Sequence, residues 1–491
     1  MNINQAKQQI KNAIIAYSTK DKHGRIKIPV AKQRPVFLVG APGIGKTAII
    51  EQIAQELDLA YVSYSMTHHT RQSALGLPFI IEKDYGGENY SVSEYTMSEI
   101  IASVYDEMEK TGKQQGILFL DEINCVSETL APSMLQFLQY KTFGRHKVPE
   151  GWIVVTAGNP PEFNDSVREF DIAMLDRLKK IEVEPDYEIW KEYAINTHVH
   201  PAVTSYLAIK PQYFYRISTT VDGKSFVTAR AWDDLSQMIW LYEENEILVD
   251  NNLVAQYLQD EQIAKDYANY YSLYRKYKSD YQVTEILKGE VSEEILERAK
   301  KAKFDERLSL ISLILSSFTD QIATVVEMKD ALMMVMKEVT ADKEHCLTTV
   351  TSKLEEYRKK STATDTQENI SLALNALDIY SELEEAIKVN GDDYSIVKSL
   401  LQNRILVLKE LDQLAQQTLE HVFVFFEDAF GQGQEMLILV SEMTISKPIS
   451  KYIYTSGCEK YYQYNKQLLF EDTQSALQDR IDALNLLEFE D

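Results

Sequence analysis

The sequence predicts an α/β domain built on a five-stranded parallel sheet, followed by a small helical domain and a mainly helical C-terminal region. Three observations carry this. Between residues 35 and 185, five short apolar runs alternate with helical patterns. The first run leads straight into a glycine-rich loop that opens a helix. Beyond residue 265, apolar residues recur at alternating steps of four and three, the mark of helices with one apolar face.

The runs are VFLVG (Val36 to Gly40), YVSYS (Tyr61 to Ser65), ILFLDE (Ile117 to Glu122), WIVVTAGN (Trp152 to Asn159) and KKIEVE (Lys179 to Glu184). Nearly continuous apolar character is expected of strands buried on both faces, because helices cover each side of a parallel sheet. Residues 1–185 are read as this α/β core. After Pro185 the pattern turns helical, with WKEYAI and ARAWDDLSQMIWLYEEN as the clearest pieces, and a small helical lid is expected over 186–265. Residues 266–491 are read as a mainly helical domain. There, Phe304, Leu308, Ile311, Leu315, Phe318, Ile322 and Val325 make one stripe, which Leu310, Leu313 and Ile314 broaden to the width of a packed bundle. A second stripe runs through Leu401, Ile405, Leu408, Leu411, Ala415, Leu419 and Val422. KKSTATDTQEN and KVNGDDYS read as connections, and a strand or two is expected from GQGQEMLILVSEMTISKPISKYIYT onward.

At 491 residues and 45% hydrophobic content the chain is long enough for about three globular domains. It carries 51 Lys plus Arg against 75 Asp plus Glu, a formal charge of −24. That is the wrong sign for a protein that neutralises phosphates over a large surface. Cys125, Cys346 and Cys458 are far apart and show no metal-ligand spacing with histidine, as expected of a reduced, intracellular protein. The N-terminal stretch mixes charged and apolar residues at helical spacing, and no apolar run is read as reaching the ~20 residues that span a bilayer. A cytoplasmic protein without a membrane partner is expected.

FLVGAPGIGKTAII, Phe37 to Ile50, contains the spacing G-x-x-x-x-G-K-T between an apolar strand and the amphipathic helix TAIIEQIAQEL. In that context backbone N–H groups converge on an anion at the start of the helix. Gly40, Gly43 and Gly45 let the backbone approach a phosphate, and Pro42, Ile44 and Ala48 complete the cradle. Lys46 would set its ammonium against the β- and γ-phosphates, and Thr47 would offer its hydroxyl to Mg²⁺. The third run delivers Asp121 and Glu122 to the sheet edge where ligands bind. Asp121 would hold the metal through water, and Glu122 would orient and polarise the attacking water. Asn159, at the end of the fourth run, would position that water from the neighbouring strand. Arg177, in FDIAMLDRLKKIEV, precedes the last strand; by itself such an arginine makes a surface or domain ion pair. In SFVTARAWDDLS, Thr228 reads as an N-cap and Arg230 falls in the first helical turn, where a cation opposes the helix dipole. Arg230 is therefore expected to serve an outside anion or a domain-packing salt bridge. Together these features specify an α/β P-loop NTPase.

Residues 5 to 240 resemble the AAA+ ATPases, and within them the MoxR family with its dynein-related and magnesium-chelatase-like relatives. The likeness rests on the two nucleotide motifs, AGNPPEFN as sensor 1, LDRL as the arginine-finger segment and TARAWDDLS as sensor 2. ALGLPFI is similar to the insert these proteins carry within their second helix, and SMLQFLQYKTFGRHKVPEGWIVVTAGN to their presensor-1 hairpin. The resemblance implies ATP as the nucleotide and a homo-oligomeric ring, hexameric in this clade, with ATP between subunits. Arg177, or alternatively Arg168, would then reach the γ-phosphate of the adjacent subunit, and Arg230 would act on its own or a neighbour's nucleotide. His68, His69 and the GLP turn face the ring's pore in this reading and are ordinary loop residues otherwise. MoxR-type proteins act as chaperone-like motors on a protein client or its metal centre, beside a partner with a von Willebrand factor A domain. The helical region would offer such a partner a docking surface, although its stripes are first of all its own core.

Two other functions compete. A nucleic-acid motor or restriction-type NTPase would use Lys141, Arg145, His146 and Lys147 of YKTFGRHK on a strand, but overall acidity and the lack of a recognisable nucleic-acid module count against it. A scaffold that binds ATP without turnover is opposed by the presence of Glu122, Asn159 and Arg177 together.

Overall fold

In the computed structural model the strands follow in chain order as β1 (Val36–Gly40), β2 (Ala60–Ser65), β3 (Pro78–Tyr85), β4 (Glu88–Tyr95), β5 (Gly116–Asp121), β6 (Thr142–Phe143), β7 (His146–Lys147), β8 (Trp152–Gly158), β9 (Lys179–Val183), β10 (Arg216–Thr220) and β11 (Gly223–Val227). The structure describes residues 1–466 apart from 69–73, 75, 164–166, 168, 221–222, 342–345, 362–366 and 392. The five apolar runs form one sheet in the order β2-β5-β8-β1-β9, with every neighbouring pair parallel. Within β1, β5 and β8 the side chains alternate between two cores, whereas β9, at the sheet edge, buries Ile181 and Val183 on one face and leaves Lys180 and Glu182 exposed, so that run is not buried on both faces as its sequence suggested. Val36, Leu38, Ile117, Phe119, Ile153 and Val155 meet α1 (Ile3–Ser18) and α2 (Lys46–Glu56) through Ile10, Ile14, Ile50 and Ile53. Phe37, Leu118, Leu120 and Val154 meet Ile100, Ile101 and Val104 of the helix Glu99–Thr111, and Met134, Phe137 and Leu138 of the helix Ala131–Tyr140. Each fully buried side chain of this size stabilises the fold by about 1.5–3 kcal/mol, so the period-two alternation holds the register firmly. An Asn2–Gln5 capping box starts α1.

The sheet belongs to a unit made of Met1–Lys191, Gln212–Met238 and Asn252–Ala264. The second unit comprises Glu192–Pro211, Ile239–Asn251 and Lys265–Asp491. Residues 186–265 are shared between the two, because parts of this segment find their partners in different cores. Thr228 lies against Gly43 of the glycine loop, whereas Tyr206 donates to Asp266. The segment also contains the antiparallel hairpin β10–β11, where the sequence reading expected helix.

The insert after β2 contains a second hairpin, β3–β4, closed by Gly86 and Gly87 with φ of 71° and 94°. Two successive positive φ values are the signature of the hairpin turn that matches strand twist. A third, shorter hairpin, β6–β7, precedes β8.

In the second unit the helix Phe304–Ala341 buries Leu308, Ile311, Leu315, Phe318, Ile322 and Val325, while Phe304 at its first turn is exposed. The helix Tyr394–Phe430 buries Leu401, Ala415, Leu419 and Val422. Contrary to the sequence reading, Phe304–Ala341 is long and apolar enough to cross a membrane by length and composition, and 56% of its apolar window is buried, as in the core helix of a bundle. The strands expected after Gly431 are instead two helices, Gln434–Ile445 and Lys447–Ser456. Met436, Leu439, Val440 and Met443 are the buried set, and their steps of three, one and three select a helical face over strand propensity.

Candidate functional site

Three strand ends on one edge of the sheet build the site. β1 runs into the glycine loop, and Gly43 and Gly45 adopt φ of +73° and +88°, which only glycine takes without strain. The loop delivers Lys46 and Thr47 to the first turn of α2, followed by Ala48. Lys46 is almost fully buried, and its Nζ donates to Gly40 O, Ala41 O and Asn159 Oδ1, each at 2.8 Å. Burial pushes its ammonium down to about 8, the attraction of Asp121 and Glu122 opposing and the Arg230 charge reinforcing that shift.

β5 brings Asp121 and Glu122. Thr47 Oγ1 donates to Asp121 Oδ2 at 2.9 Å, so two hard oxygen ligands already stand side by side. That donor set fits Mg²⁺, which takes one or two protein oxygens and fills its remaining octahedral positions with water and phosphate. Glu122 sits at φ 55°, its N–H donating to Asp121 Oδ1 at 2.9 Å, while Ser65 Oγ donates to Glu122 Oε2 at 3.0 Å. The left-handed backbone turns the Glu122 side chain off the line of the strand, toward β2.

β8 brings Asn159. Its Oδ1 accepts from Lys46, and its carbonyl accepts from Asn124 Nδ2 at 2.7 Å. Asn124 lies against Gly158 so closely that a Cβ there would stand 2.3 Å from Asn124 Oδ1. A glycine before Asn159 is thus what admits the asparagine that holds it.

The segment at the end of the β10–β11 hairpin closes over the loop. Thr228 Oγ1 accepts from Ala231 N at 3.2 Å and caps the helix Ala229–Glu244, and the Arg230 N–H donates to Gly43 O at 3.1 Å. Among the described residues the Arg230 guanidinium has no ion-pair partner. Arg230 stands near enough for its charge to act on Lys46, so two cations gather beside the glycine loop, which favours an anion there.

Arg177 stands elsewhere. Its Nε donates to Gln139 Oε1 at 3.0 Å and its NH1 to Ala173 O, and among the described residues it has no carboxylate partner. Arg168 and His69 lie outside the described residues, and His68 ends a single turn, Met66–His68. Sequence reasoning missed Ser65 and Asn124, whose roles depend on neighbours 57 and 35 residues away in the chain. The polar end of the apolar run Tyr61–Ser65 was the one available signal for Ser65.

Of the four basic residues in and beside the β6–β7 hairpin, Lys141, Arg145 and His146 are engaged within the chain and Lys147 is exposed. Lys141 is buried, with Nζ donating to Val30 O at 2.9 Å and Gln33 O at 2.7 Å. Arg145 pairs with Glu94, which also pairs with Lys83, and His146 Nε2 lies 3.2 Å from Tyr95 O.

A glycine loop after β1 clasped to a carboxylate pair at the end of β5, one strand away across β8, is nucleotide-binding geometry, and residues 35–178 match the family model described as AAA domain, dynein-related subfamily. The span of the match covers β1 through the arginine ahead of β9. By fold, site geometry and family match alike, residues 35–178 form an AAA domain.

Proposed function

We propose that the protein hydrolyses ATP with Mg²⁺ at the interfaces of a homo-oligomeric, hexameric ring, and uses the energy to remodel a protein client or its metal centre in the manner of MoxR-type ATPases. The observation that carries the reading is the convergence of Lys46, Thr47, Asp121, Glu122 and Asn159 through direct hydrogen bonds at three strand ends. Lys46 and the loop amides bind the phosphates, Thr47 and Asp121 hold the metal, and Glu122 takes the proton of the attacking water that Asn159 helps to place. When bound, Mg²⁺ neutralises charge on the β- and γ-phosphate oxygens.

Arg177 supports the ring. A guanidinium without a carboxylate partner among the described residues is available to a neighbouring subunit's γ-phosphate, where it would supply transition-state charge only after assembly. The second unit, beyond residue 265, would carry the partner-facing surface, with a von Willebrand factor A protein as the partner expected. The nucleic-acid alternative loses support, since Lys141 and Arg145 are engaged within the chain.

The test is a steady-state ATPase assay on wild type, Glu122→Gln and Arg177→Ala. Both variants are expected to bind ATP and to hydrolyse it at least ~100-fold more slowly. Mixing them should restore activity, because mixed rings pair an intact Glu122 with a neighbour's intact Arg177. Equal low rates in wild type and Glu122→Gln would sink the motor reading. A von Willebrand factor A protein encoded beside this gene would support the remodelling reading, and a nuclease there would overturn it.

A further inference from the structure

The glycine loop is held from outside by two donors that belong to neither nucleotide motif. Tyr215, just ahead of β10, donates its hydroxyl to Pro42 O at 3.0 Å, and the Arg230 backbone N–H donates to Gly43 O at 3.1 Å. In a trans peptide the carbonyl of one residue and the N–H of the next point in opposite directions, and the chain contains no cis bond among its described residues. Drawing the Pro42 carbonyl toward Tyr215 therefore turns the Gly43 N–H away from it, and drawing the Gly43 carbonyl toward Arg230 turns the Ile44 N–H away likewise. Neither the Gly43 nor the Ile44 amide meets an acceptor among the described residues. Thr228 adds steric support, since a Cβ on Gly43 would stand 2.9 Å from both Thr228 Cβ and Thr228 Oγ1.

We infer that Tyr215 is a positioning residue for phosphate binding: its hydroxyl, with the Arg230 amide, presets two loop N–H groups toward the anion before nucleotide arrives. The inference rests on the nucleotide-binding reading above. Presetting matters because an amide already aimed at the phosphate costs no reorganisation on binding. Burial also pushes the Tyr215 hydroxyl up from its ordinary value, so it keeps its proton and remains a donor throughout the neutral range.

The test compares wild type and Tyr215→Phe by calorimetric titration with Mg²⁺-tripolyphosphate, which has no base or ribose and so reports on the cradle alone, and records the ligand-free melting temperature of each. The expected result is a fivefold to tenfold weaker Kd for Tyr215→Phe, the loss of about one hydrogen bond's net contribution, with unchanged melting. Wild-type binding retained in full by Tyr215→Phe would overturn the inference and leave the nucleotide site standing. A lowered melting temperature that accounts for the weaker binding would also overturn it, by making Tyr215 a structural residue. Failure of the wild type to bind tripolyphosphate or ATP would instead defeat the nucleotide-binding reading itself.

Discussion

The Ser65 hydroxyl at the end of β2 donates to the Glu122 carboxylate at the end of β5, across 3.0 Å. The two strands pair so that Ser65 stands opposite Asp121, which puts the serine one residue from Glu122, the general base of the proposed reaction. A donor on a carboxylate oxygen occupies one of its lone pairs and restrains its orientation, so the contact would hold Glu122 back from a water in the nucleotide-free protein. Ser65→Ala is expected to raise the basal ATPase rate about twofold to fivefold while leaving ATP affinity unchanged. A fall in rate would instead make Ser65 the residue that aims Glu122.

Gly158 and Asn124 form a second pair whose fit is tight enough to test. Gly158→Ala places a methyl 2.3 Å from Asn124 Oδ1, and overpacking of that kind destabilises by about 1–3 kcal/mol. Because Asn124 also holds the Asn159 carbonyl, kcat should fall with stability. In the double variant Gly158→Ala/Asn124→Ala the steric conflict is gone, so denaturant unfolding should show less destabilisation than the sum of the single changes. Strict additivity would mean that the backbone relaxes around the methyl and the contact carries no constraint.

Lys141 sets a pH dependence. Its ammonium is buried with no carboxylate partner among the described residues, and burial brings it down to about 8, below its ordinary 10.5. Between these values the unfolded chain binds more protons than the folded one at this position, so stability rises with pH from about 8 toward 10.5. Below pH 8 the folded protein carries the full cost of the buried charge. Lys46 is shifted in the same direction and adds to the trend. Urea midpoints measured at pH 7.5 and pH 9.5 should therefore converge in Lys141→Met relative to wild type, and equal pH slopes in both proteins would contradict the assignment.

Arg145 provides the check on nucleic acid. With Arg145 paired to the mostly buried Glu94 and Lys141 donating to backbone carbonyls, Lys147 is the lysine that the β6–β7 hairpin leaves exposed to a strand. ATPase activity is expected to be unchanged by single- or double-stranded DNA at physiological salt. DNA stimulation that disappears in Arg145→Ala would revive the DNA motor. The same variant should lower the melting temperature by a few degrees, since it removes one of the two cations on Glu94.

Much of this protein is legible in the order of its residues. The five runs of the sheet, the glycine loop between β1 and α2, and the carboxylates ending β5 are local: each depends on residues within one strand, one turn or one helix, so periodicity and spacing reveal them. The stripes of the two long helices are local in the same sense. The segment after Gly431 misled because Leu437, Ile438, Leu439 and Val440 favour a strand by composition, and only packing shows that every third or fourth residue is the buried one. The Gly86-Gly87 turn could have revealed β3–β4, since a two-residue glycine loop between alternating residues is a hairpin signal.

What tertiary structure alone decided is who touches whom across the chain. Ser65 on Glu122, Asn124 on Asn159 and Tyr215 on Pro42 join positions 57, 35 and 173 residues apart, and no spacing rule links them. Strand order brings β2, β5, β8 and β1 side by side, and the hairpin segment ahead of Arg230 folds back on the loop. The sequence by itself determined which chemical groups the site contains, because those groups lie in continuous motifs. Their restraint and aim came from the fold, because a hydrogen bond depends on distance in space and not on distance along the chain.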